Sequence, residues 1–174
     1  MRVNHSHHHV PPIVIMGVAG AGKTDVGPML ADRLGVDFMD GDDLHPQANI
    51  DKMTSGHPLN DKDRRPWLTN IAAWLAEHAD NGAVVACSAL KRIYRDQLRQ
   101  VCPDLVFIHL AGDRKVVAAR VEARAGHFMP ASLIDSQYAT LEPLAANEVG
   151  ITVDFDAPRE ELTTKAAAWL ADAD

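Results

Sequence analysis

Several features are scarce in this sequence, and each scarcity excludes a class of protein. The 174 residues include two cysteines, Cys87 and Cys102, in no C-x-x-C pattern. Neither a disulfide framework nor a cysteine zinc site is therefore indicated, and we expect two buried thiols. No uninterrupted apolar run approaches the roughly 18 residues that a membrane-spanning helix needs. No apolar signal segment follows Met1, so the sequence predicts a cytoplasmic protein without membrane contact.

A basic excess is also missing. Lys and Arg number 17 against 24 Asp and Glu, which gives a formal net charge of −7 and argues against nucleic-acid binding. No internal repeat or low-complexity tract is present, and the length is that of one domain. An acidic protein can still bind phosphates where its positive charge is local, so the places where Lys and Arg cluster matter more than their sum.

Histidines are concentrated near the start of the chain, between His5 and His9. Metal capture and an expression tag are both open interpretations, although the histidines are not six in a row. We favour a disordered polar leader over residues 1–10. Residues 11–174 then form the single folded domain.

The most informative segment is a glycine-rich loop between an apolar strand pattern at 12–16 and a helical pattern. It fits G-x-x-x-x-G-K-[ST] at every fixed position. Its glycines let successive backbone amides face an anion, Lys23 reaches the outer phosphates, and the Thr24 hydroxyl can ligate Mg²⁺. The sequence therefore predicts nucleoside triphosphate binding by the loop Gly17-Val18-Ala19-Gly20-Ala21-Gly22-Lys23-Thr24.

Apolar strand patterns near residues 13, 37, 84, 106 and 151 alternate with helical patterns. This alternation predicts a three-layer α/β/α sandwich around a five-stranded parallel sheet. A short helix is expected from about Gln47 to Thr54, and Asp61 is the predicted cap of the helix that follows. Pro28 is expected to kink or loosen the helix behind the phosphate loop.

Two carboxylates follow the second predicted strand in Asp40-Gly41-Asp42. Ligands of open parallel sheets bind beyond the carboxyl ends of the strands, so these side chains are expected beside the phosphate loop. One carboxylate would order Mg²⁺ and the other would take a proton from an acceptor hydroxyl. The alternative is a plain turn, since Asp-Gly is a common turn dipeptide.

The segment of about 43–68 is polar and rich in helix breakers, which is typical of a substrate-covering insertion. His45, Lys52, Arg64 and Arg65 are candidates for gripping an anionic acceptor, and arginine would bind a carboxylate in a bidentate manner. Any of these four side chains could equally be a surface charge.

A later helical pattern carries Lys91, Arg95 and Arg99 on one face. Lys91 lies nearest the preceding strand and is expected to reach the substrate. Arg95 and Arg99 are expected to be solvated or paired with Asp96.

A lid is predicted at about 120–131. Arg120 and Arg124 share a helical face, a glycine-bearing interruption follows, and a helix resumes at Ala131. Lids of this kind neutralise a transferring phosphate and exclude water. A plain helical hairpin with an exposed charged face is the alternative. The loop around Asp156 and Pro158, after the fifth strand, is the candidate for contact with adenine.

The sequence resembles the gluconokinase family, P-loop sugar-acid kinases related to shikimate and nucleoside monophosphate kinases. The resemblance covers nearly the whole chain after the leader. It rests on the phosphate loop and on the blocks Asp40-Gly41-Asp42-x-Leu44-His45-Pro46, Asn49-Ile50-x-Lys52-Met53-x-x-Gly56-x-Pro58-Leu59-x-Asp61, Asp63-Arg64-x-Pro66-Trp67-Leu68, Cys87-Ser88-Ala89-Leu90-Lys91-x-x-Tyr94-Arg95-Asp96 and Gly126-His127-Phe128.

This resemblance implies ATP- and Mg²⁺-dependent phosphorylation of D-gluconate by a cytoplasmic homodimer. It implies that Asp42 is the base or orienter of the attacking hydroxyl and that Asp40 is the carboxylate on the magnesium side. Lys23, Arg120 and Arg124 would be catalytic cations, and His127 would contact the substrate. The departures from the family pattern are Ala19 and Ala21 where serine is frequent, Thr24 for serine, and Pro28.

Other functions stay open on the sequence alone. A shikimate kinase would carry a glycine triplet where this chain has Cys87-Ser88-Ala89-Leu90. A nucleoside monophosphate kinase would need a base-reading pocket that 43–67 does not suggest, and a GTPase would need an N-K-x-D motif. A regulatory module that binds nucleotide without turnover need not keep the two carboxylates Asp40 and Asp42.

Overall fold

The computed structural model describes residues 10–123 and 131–172. All neighbouring strands of its sheet run parallel, in the order β2-β3-β1-β4-β5. The predicted five-stranded parallel sheet is thereby confirmed. The strands are β1 Pro12–Met16, β2 Asp37–Asp40, β3 Ala83–Ala86, β4 Val106–Ala111 and β5 Gly150–Asp154.

Helices connect the strands and cover both faces of the sheet. The predicted short helix of the segment 43–68, called the acceptor segment below, is confirmed as α2. No described helix has the length and apolar character that crossing a membrane would require. The helices are α1 Lys23–Leu34, the 3₁₀ helix Gly41–Leu44, α2 Gln47–Thr54, α3 Asp61–Glu77, α4 Arg92–Val101, α5 Arg114–Ala123, α6 Ala131–Thr140 and α7 Arg159–Asp172.

Strand β1 is the centre of the molecule, and all five of its residues are buried. Successive side chains of a strand point to opposite faces, and the core is divided accordingly. Ile13 and Ile15 belong to an apolar cluster with residues of α1 and α7, while Val14 and Met16 belong to a second cluster with residues of α3 and α4. Helices, sheet and helices thus form the three predicted layers.

Both cysteines lie in this core as free, buried thiols, as the sequence predicts. The core also reaches further toward the N-terminus than predicted. Val10, which the sequence analysis assigned to the leader, is half-buried against the first cluster. The packed chain therefore begins at least one residue earlier than 11; residues 1–9 lie outside the described part.

Helix α1 continues through Pro28 as one element, and the kink or loosening expected at Pro28 stays a prediction. Pro28 has no amide hydrogen, and the carbonyl of Thr24 therefore lacks its usual donor four residues on. The neighbouring Gly27 has a clear packing role. A Cβ atom there would lie 2.4 Å from a ring carbon of Phe38, so glycine is what lets α1 approach β2.

The functional end of the sheet follows from the strand order. The chain leaves β1 into the glycine-rich loop, and β1 lies between β3 and β4, where the direction of the connections reverses. In open α/β sheets, ligands bind in the crevice outside the carboxyl ends of the strands at such a reversal.

Candidate active site

The phosphate loop has the conformation that its glycines predict. Gly20 and Gly22 have φ values of 83° and 100°, in the left-handed region that favours glycine. The Lys23 ammonium donates to the carbonyl oxygens of Gly17 at 2.8 Å and Val18 at 2.9 Å, so the lysine folds back over its own loop. Desolvation lowers the pKa of this ammonium to about 8, against the attraction of Asp42.

Helix α6 reaches this loop through a side chain that sequence reasoning missed. The backbone amide of Ala19 donates to Oε1 of Gln137 at 2.5 Å. The next residue, Tyr138, donates its hydroxyl to the carbonyl oxygen of Gly112 at 2.9 Å, just beyond β4. These two bonds attach α6 to the carboxyl edge of the sheet; no periodic sequence signal indicates them.

The segment Asp40-Gly41-Asp42, called the acidic edge below, lies at the end of β2, as predicted. Oδ1 of Asp40 accepts the Asp42 amide at 3.0 Å and so caps the 3₁₀ helix. The indole of Trp67, on α3, donates to the Gly41 carbonyl oxygen at 2.7 Å. A Cβ at Gly41 would lie 2.5 Å from the carbonyl oxygen of Ala86, so only glycine fits this close approach to β3. The edge is thus held from two sides.

The two predicted carboxylates differ in environment. Asp42 is exposed and Asp40 is partly buried. Partial desolvation, followed by repulsion from Asp40, raises the pKa of the Asp42 carboxyl, while Lys23 and His45 act in the opposite direction. A carboxylate with a raised pKa that lies near the phosphate-loop lysine has the properties of a general base.

A magnesium site at this edge would rest on few protein ligands. The described residues contain no group of three or more His, Cys, Asp or Glu side chains arranged to hold a metal. Mg²⁺ at phosphate sites usually keeps several waters and binds one or two protein oxygens together with phosphate oxygens. The exposed Thr24 and the partly buried Asp40 fit that pattern, in which the nucleotide supplies the remaining ligands.

The acceptor segment is fixed by aromatic and amide contacts. His45 stacks on Trp67 with ring centres 4.3 Å apart, and its Nδ1 lies 3.2 Å from the amide nitrogen of Asn49. Asn49 is buried and also donates to the carbonyl oxygen of Asp63 at 2.9 Å. Desolvation lowers the pKa of His45 and so favours its neutral form. His45 therefore offers hydrogen bonding at this site more than positive charge.

The two predicted substrate lysines are both paired with aspartates. Lys52 contacts Asp63 at 2.5 Å, and Lys91 contacts Asp61 at 3.0 Å. Asp61 was the predicted helix cap, which is wrong: Asn60 caps α3 and forms a capping box with Asp63. Asp61 is free to bind Lys91 because the cap falls one residue earlier.

Arg64 has a different kind of partner. Its Nη1 donates to the hydroxyl of Tyr94 at 3.2 Å, and the guanidinium carbon lies 5.7 Å from the centre of the Tyr94 ring. The Tyr94 hydroxyl in turn donates to Asp61 in a short hydrogen bond. Within the described ranges Arg64 forms no ion pair with a carboxylate, so its charge is available to an acidic ligand.

The expectation that Arg95 is solvated or paired with Asp96 is wrong. Arg95 is fully buried and binds Glu148 through two hydrogen bonds of 2.7 and 2.9 Å. It also donates to the carbonyl oxygen of Ala89 at 2.9 Å. Arg99 does pair with Asp96, at 2.8 Å, and it contacts Glu148 as well. The pair of Arg95 and Glu148 fixes the segment between β3 and α4 against the segment before β5.

Arg120 lies beside the phosphate loop. It donates to the carbonyl oxygen of Phe155 and, at 3.4 Å, to that of Ala21, and its guanidinium carbon lies 4.9 Å from the Phe155 ring centre. A cavity of about 460 Å³ opens next to it. Its lining joins the phosphate loop to the loop after β5 and comprises Gly20, Ala21, Gly22, Asp25, Val26, Arg120, Asp156, Ala157, Pro158, Arg159 and Leu162.

The structure therefore brings most of the predicted site residues to one edge of the sheet. The phosphate loop, Asp40, Asp42, His45, Arg64 and Arg120 lie at the carboxyl ends of the strands or on the segments that follow them. Arg124 and His127, the other two predicted lid residues, lie outside the described residues.

Comparisons with known proteins show which family the chain belongs to. Residues 19–163 match the family model of shikimate kinase. The thermoresistant gluconokinase of Escherichia coli is 46% identical over 160 residues, which cover 90% of each chain. The gluconokinase of Gluconobacter oxydans is 51% identical over 143 residues, covering 81% of this chain and 80% of the relative.

Solved structures give the same result. A gluconokinase from Sinorhizobium meliloti superposes with a TM-score of 0.88 at 45% identity, covering 95% of this chain and 94% of that one. A shikimate kinase from Acinetobacter baumannii has a TM-score of 0.58 at 16% identity, which shows a shared fold alone. Both likenesses cover 95% of this chain, and the higher sequence identity distinguishes the first from the second. The chain belongs to the gluconokinase family of P-loop kinases.

Proposed function

We propose that this protein transfers the terminal phosphoryl group of ATP to D-gluconate, with 6-phospho-D-gluconate and ADP as products. The observation that carries the proposal is the proximity of Lys23 on the phosphate loop to Asp42 in the 3₁₀ helix that follows β2. The two side chains are close enough for each to shift the pKa of the other. A phosphate-binding cation and a candidate base for a hydroxyl thus share one crevice.

On the donor side, the protein supplies positive charge and a fixed cradle. The loop amides and Lys23 hold the phosphates, and the cavity between Arg120 and Pro158 takes the nucleoside. The Thr24 hydroxyl and Asp40 would hold Mg²⁺, which would supply further positive charge to the phosphates. Phosphoryl transfer requires little covalent chemistry from the protein, so this positioning and neutralisation form most of its contribution.

On the acceptor side, one hydroxyl oxygen of the sugar acid attacks the terminal phosphorus while the bond to the ADP oxygen breaks. Asp42 accepts the hydroxyl proton, for which its raised pKa suits it. His45 and Lys52 lie on the acceptor segment together with Arg64, and Arg64 binds the acceptor carboxylate. Arg124 and His127 are proposed to complete the site from the lid; this assignment stays a prediction from the family resemblance.

The direct test is an ADP-release assay with D-gluconate, idonate, shikimate and nucleoside monophosphates side by side, each with ATP and Mg²⁺. We expect turnover with gluconate well above that with the other acceptors. Turnover with shikimate alone would favour the alternative of a shikimate kinase. Activity on a nucleotide only, or on none of these acceptors, would overturn the proposal.

The carboxylate contact is tested by Arg64→Ala, with Arg33→Ala as a control arginine that bonds Thr164 between α1 and α7. Loss of a charge-assisted contact predicts a rise in the gluconate KM of roughly 10-fold or more, with the ATP KM nearly unchanged. Equal increases in both KM values would contradict the assignment. The homodimer, the cytoplasmic location and the absence of nucleic-acid binding stay predictions from the sequence.

A further inference from the structure

A chain of polar contacts joins the start of α3, which belongs to the acceptor segment, to the start of α4. Arg64 donates to the Tyr94 hydroxyl at 3.2 Å, and that hydroxyl donates to Asp61. Asp61 also accepts from the Lys91 ammonium, at 3.0 and 3.2 Å. We propose that Tyr94 is a positioning residue for substrate selection, which holds the Arg64 guanidinium in the orientation that binds the acceptor carboxylate. This inference rests on the proposed function.

The charges of the neighbouring cations single out Arg64. Lys91 and Lys52 each have an aspartate partner, so their charges are largely balanced before an acceptor arrives. Arg64 is partly buried and, among the residues described, contacts a neutral hydroxyl in place of a carboxylate. An acid acceptor therefore meets in Arg64 a guanidinium to which no carboxylate is directly bonded, although Asp61 and Asp63 lie close enough to act on its charge through space. Its planar donors match a carboxylate in two parallel hydrogen bonds, provided that the plane is correctly oriented.

Tyr94 is suited to fix that orientation. Tyr94 is 5% exposed and belongs to the core cluster of α3, α4 and the sheet, so packing restricts the position of its hydroxyl. Burial and the bond to Asp61 raise the pKa of Tyr94, and the hydroxyl stays protonated at neutral pH. The orientation of the hydroxyl is thus defined: it donates a hydrogen bond to Asp61, and its oxygen accepts one from Arg64. Removing the oxygen releases the guanidinium without removing the ring.

The first test is Tyr94→Phe, which keeps the buried ring and deletes the hydroxyl. We expect the gluconate KM to rise roughly 3- to 10-fold, the effect of one lost hydrogen bond, while the ATP KM and the melting temperature change little. A general structural defect would instead raise both KM values and lower the melting temperature. An unchanged gluconate KM would overturn the proposal.

The second test asks whether Tyr94 acts through Arg64 and through the carboxylate. In an Arg64→Ala background, Tyr94→Phe should add no further loss, because the residue that it positions is gone. The affinity for D-gluconamide, which replaces the carboxylate by a neutral amide, should be nearly equal in wild type and Tyr94→Phe when measured by calorimetry with ADP present. Independent, additive losses in the double variant, or an equal loss for gluconamide, would refute the positioning role.

These results are separable from those of the proposed function. If the wild-type protein prefers another sugar acid in the acceptor panel, the assignment of gluconate fails, and the same comparison is made between that acid and its amide. A loss confined to the acid would still support the role of Tyr94, while a loss shared by acid and amide would refute it.

Discussion

The buried pair of Arg95 and Glu148 allows the sharpest prediction about stability. Both side chains have no solvent exposure, and Glu148 also accepts the Ala145 amide at 3.1 Å. These hydrogen bonds outweigh desolvation and depress the pKa of Glu148 from its usual 4.5 to about 2. At about 1.4 kcal/mol for each tenfold change in proton affinity, this depression corresponds to about 3 kcal/mol. Breaking a buried pair by removing one partner costs about 3–5 kcal/mol, which is consistent.

Glu148→Gln keeps the shape of the side chain and leaves Arg95 as an unpaired buried charge. A loss of about 3 kcal/mol predicts a fall in melting temperature of roughly 6–12 °C for a chain of this size. Circular dichroism at pH 7 measures it. Glu160→Gln, at an exposed ion pair of α7, is the matched control and should shift the melting temperature by no more than about 2 °C.

The pH dependence adds a second criterion with a defined sign. A carboxylate with a depressed folded pKa contributes stability that is fully present above the unfolded pKa, near 4.5, and is lost as the pH falls toward about 2. The difference in melting temperature between wild type and Glu148→Gln should therefore shrink between pH 5 and pH 3. The reasoning would be refuted if Glu148→Gln lowered the melting temperature by less than about 2 °C at pH 7. It would also be refuted if the difference in melting temperature from wild type stayed constant on acidification.

Three further predictions concern activity. Asp42→Asn should lower kcat by about 10²-fold or more while the ATP KM changes little, because a general base is lost and nucleotide binding is not; a near-normal kcat would exclude the base role. Because the pKa of Lys23 is lowered to about 8, kcat/KM for ATP should fall as the pH rises above about 8, and a flat profile to pH 9.5 would contradict this. Gly41→Ala should lower kcat more than ATP affinity, because its Cβ would meet Ala86 and displace the acidic edge; an unchanged kcat would show that the edge tolerates the shift.

Local sequence patterns account for what could be predicted. The phosphate loop follows from fixed residue types at fixed spacing, and the buried run of β3 and the helix α2 follow from periodicity and breakers. Each of these signals is contained within a few consecutive residues. The acidic edge was predicted as well, because the ends of parallel strands must meet at one edge of the sheet.

The errors and omissions involve polar contacts between distant segments. Arg95 was assigned to a charged helical face, yet it lies between the buried residues Tyr94 and Leu98, and its partner Glu148 is 53 residues away. Its sequence position between these two core residues was the signal from which its burial could have been predicted. The bond from Gln137 to the phosphate loop spans 118 residues and leaves no periodic trace. Such contacts depend on the packed fold, which a single sequence does not display.

The hydrogen bond between Ala19 and Gln137 has a consequence for observing the enzyme at work. Helix α6 directly follows the predicted lid, so any movement of α6 away from the sheet must break this bond or carry the loop with it. The Ala19 amide is therefore a built-in probe: its ¹⁵N–¹H resonance and its rate of exchange with deuterium report whether α6 is docked. Following that one signal while ATP or gluconate is added would show which substrate moves the helix.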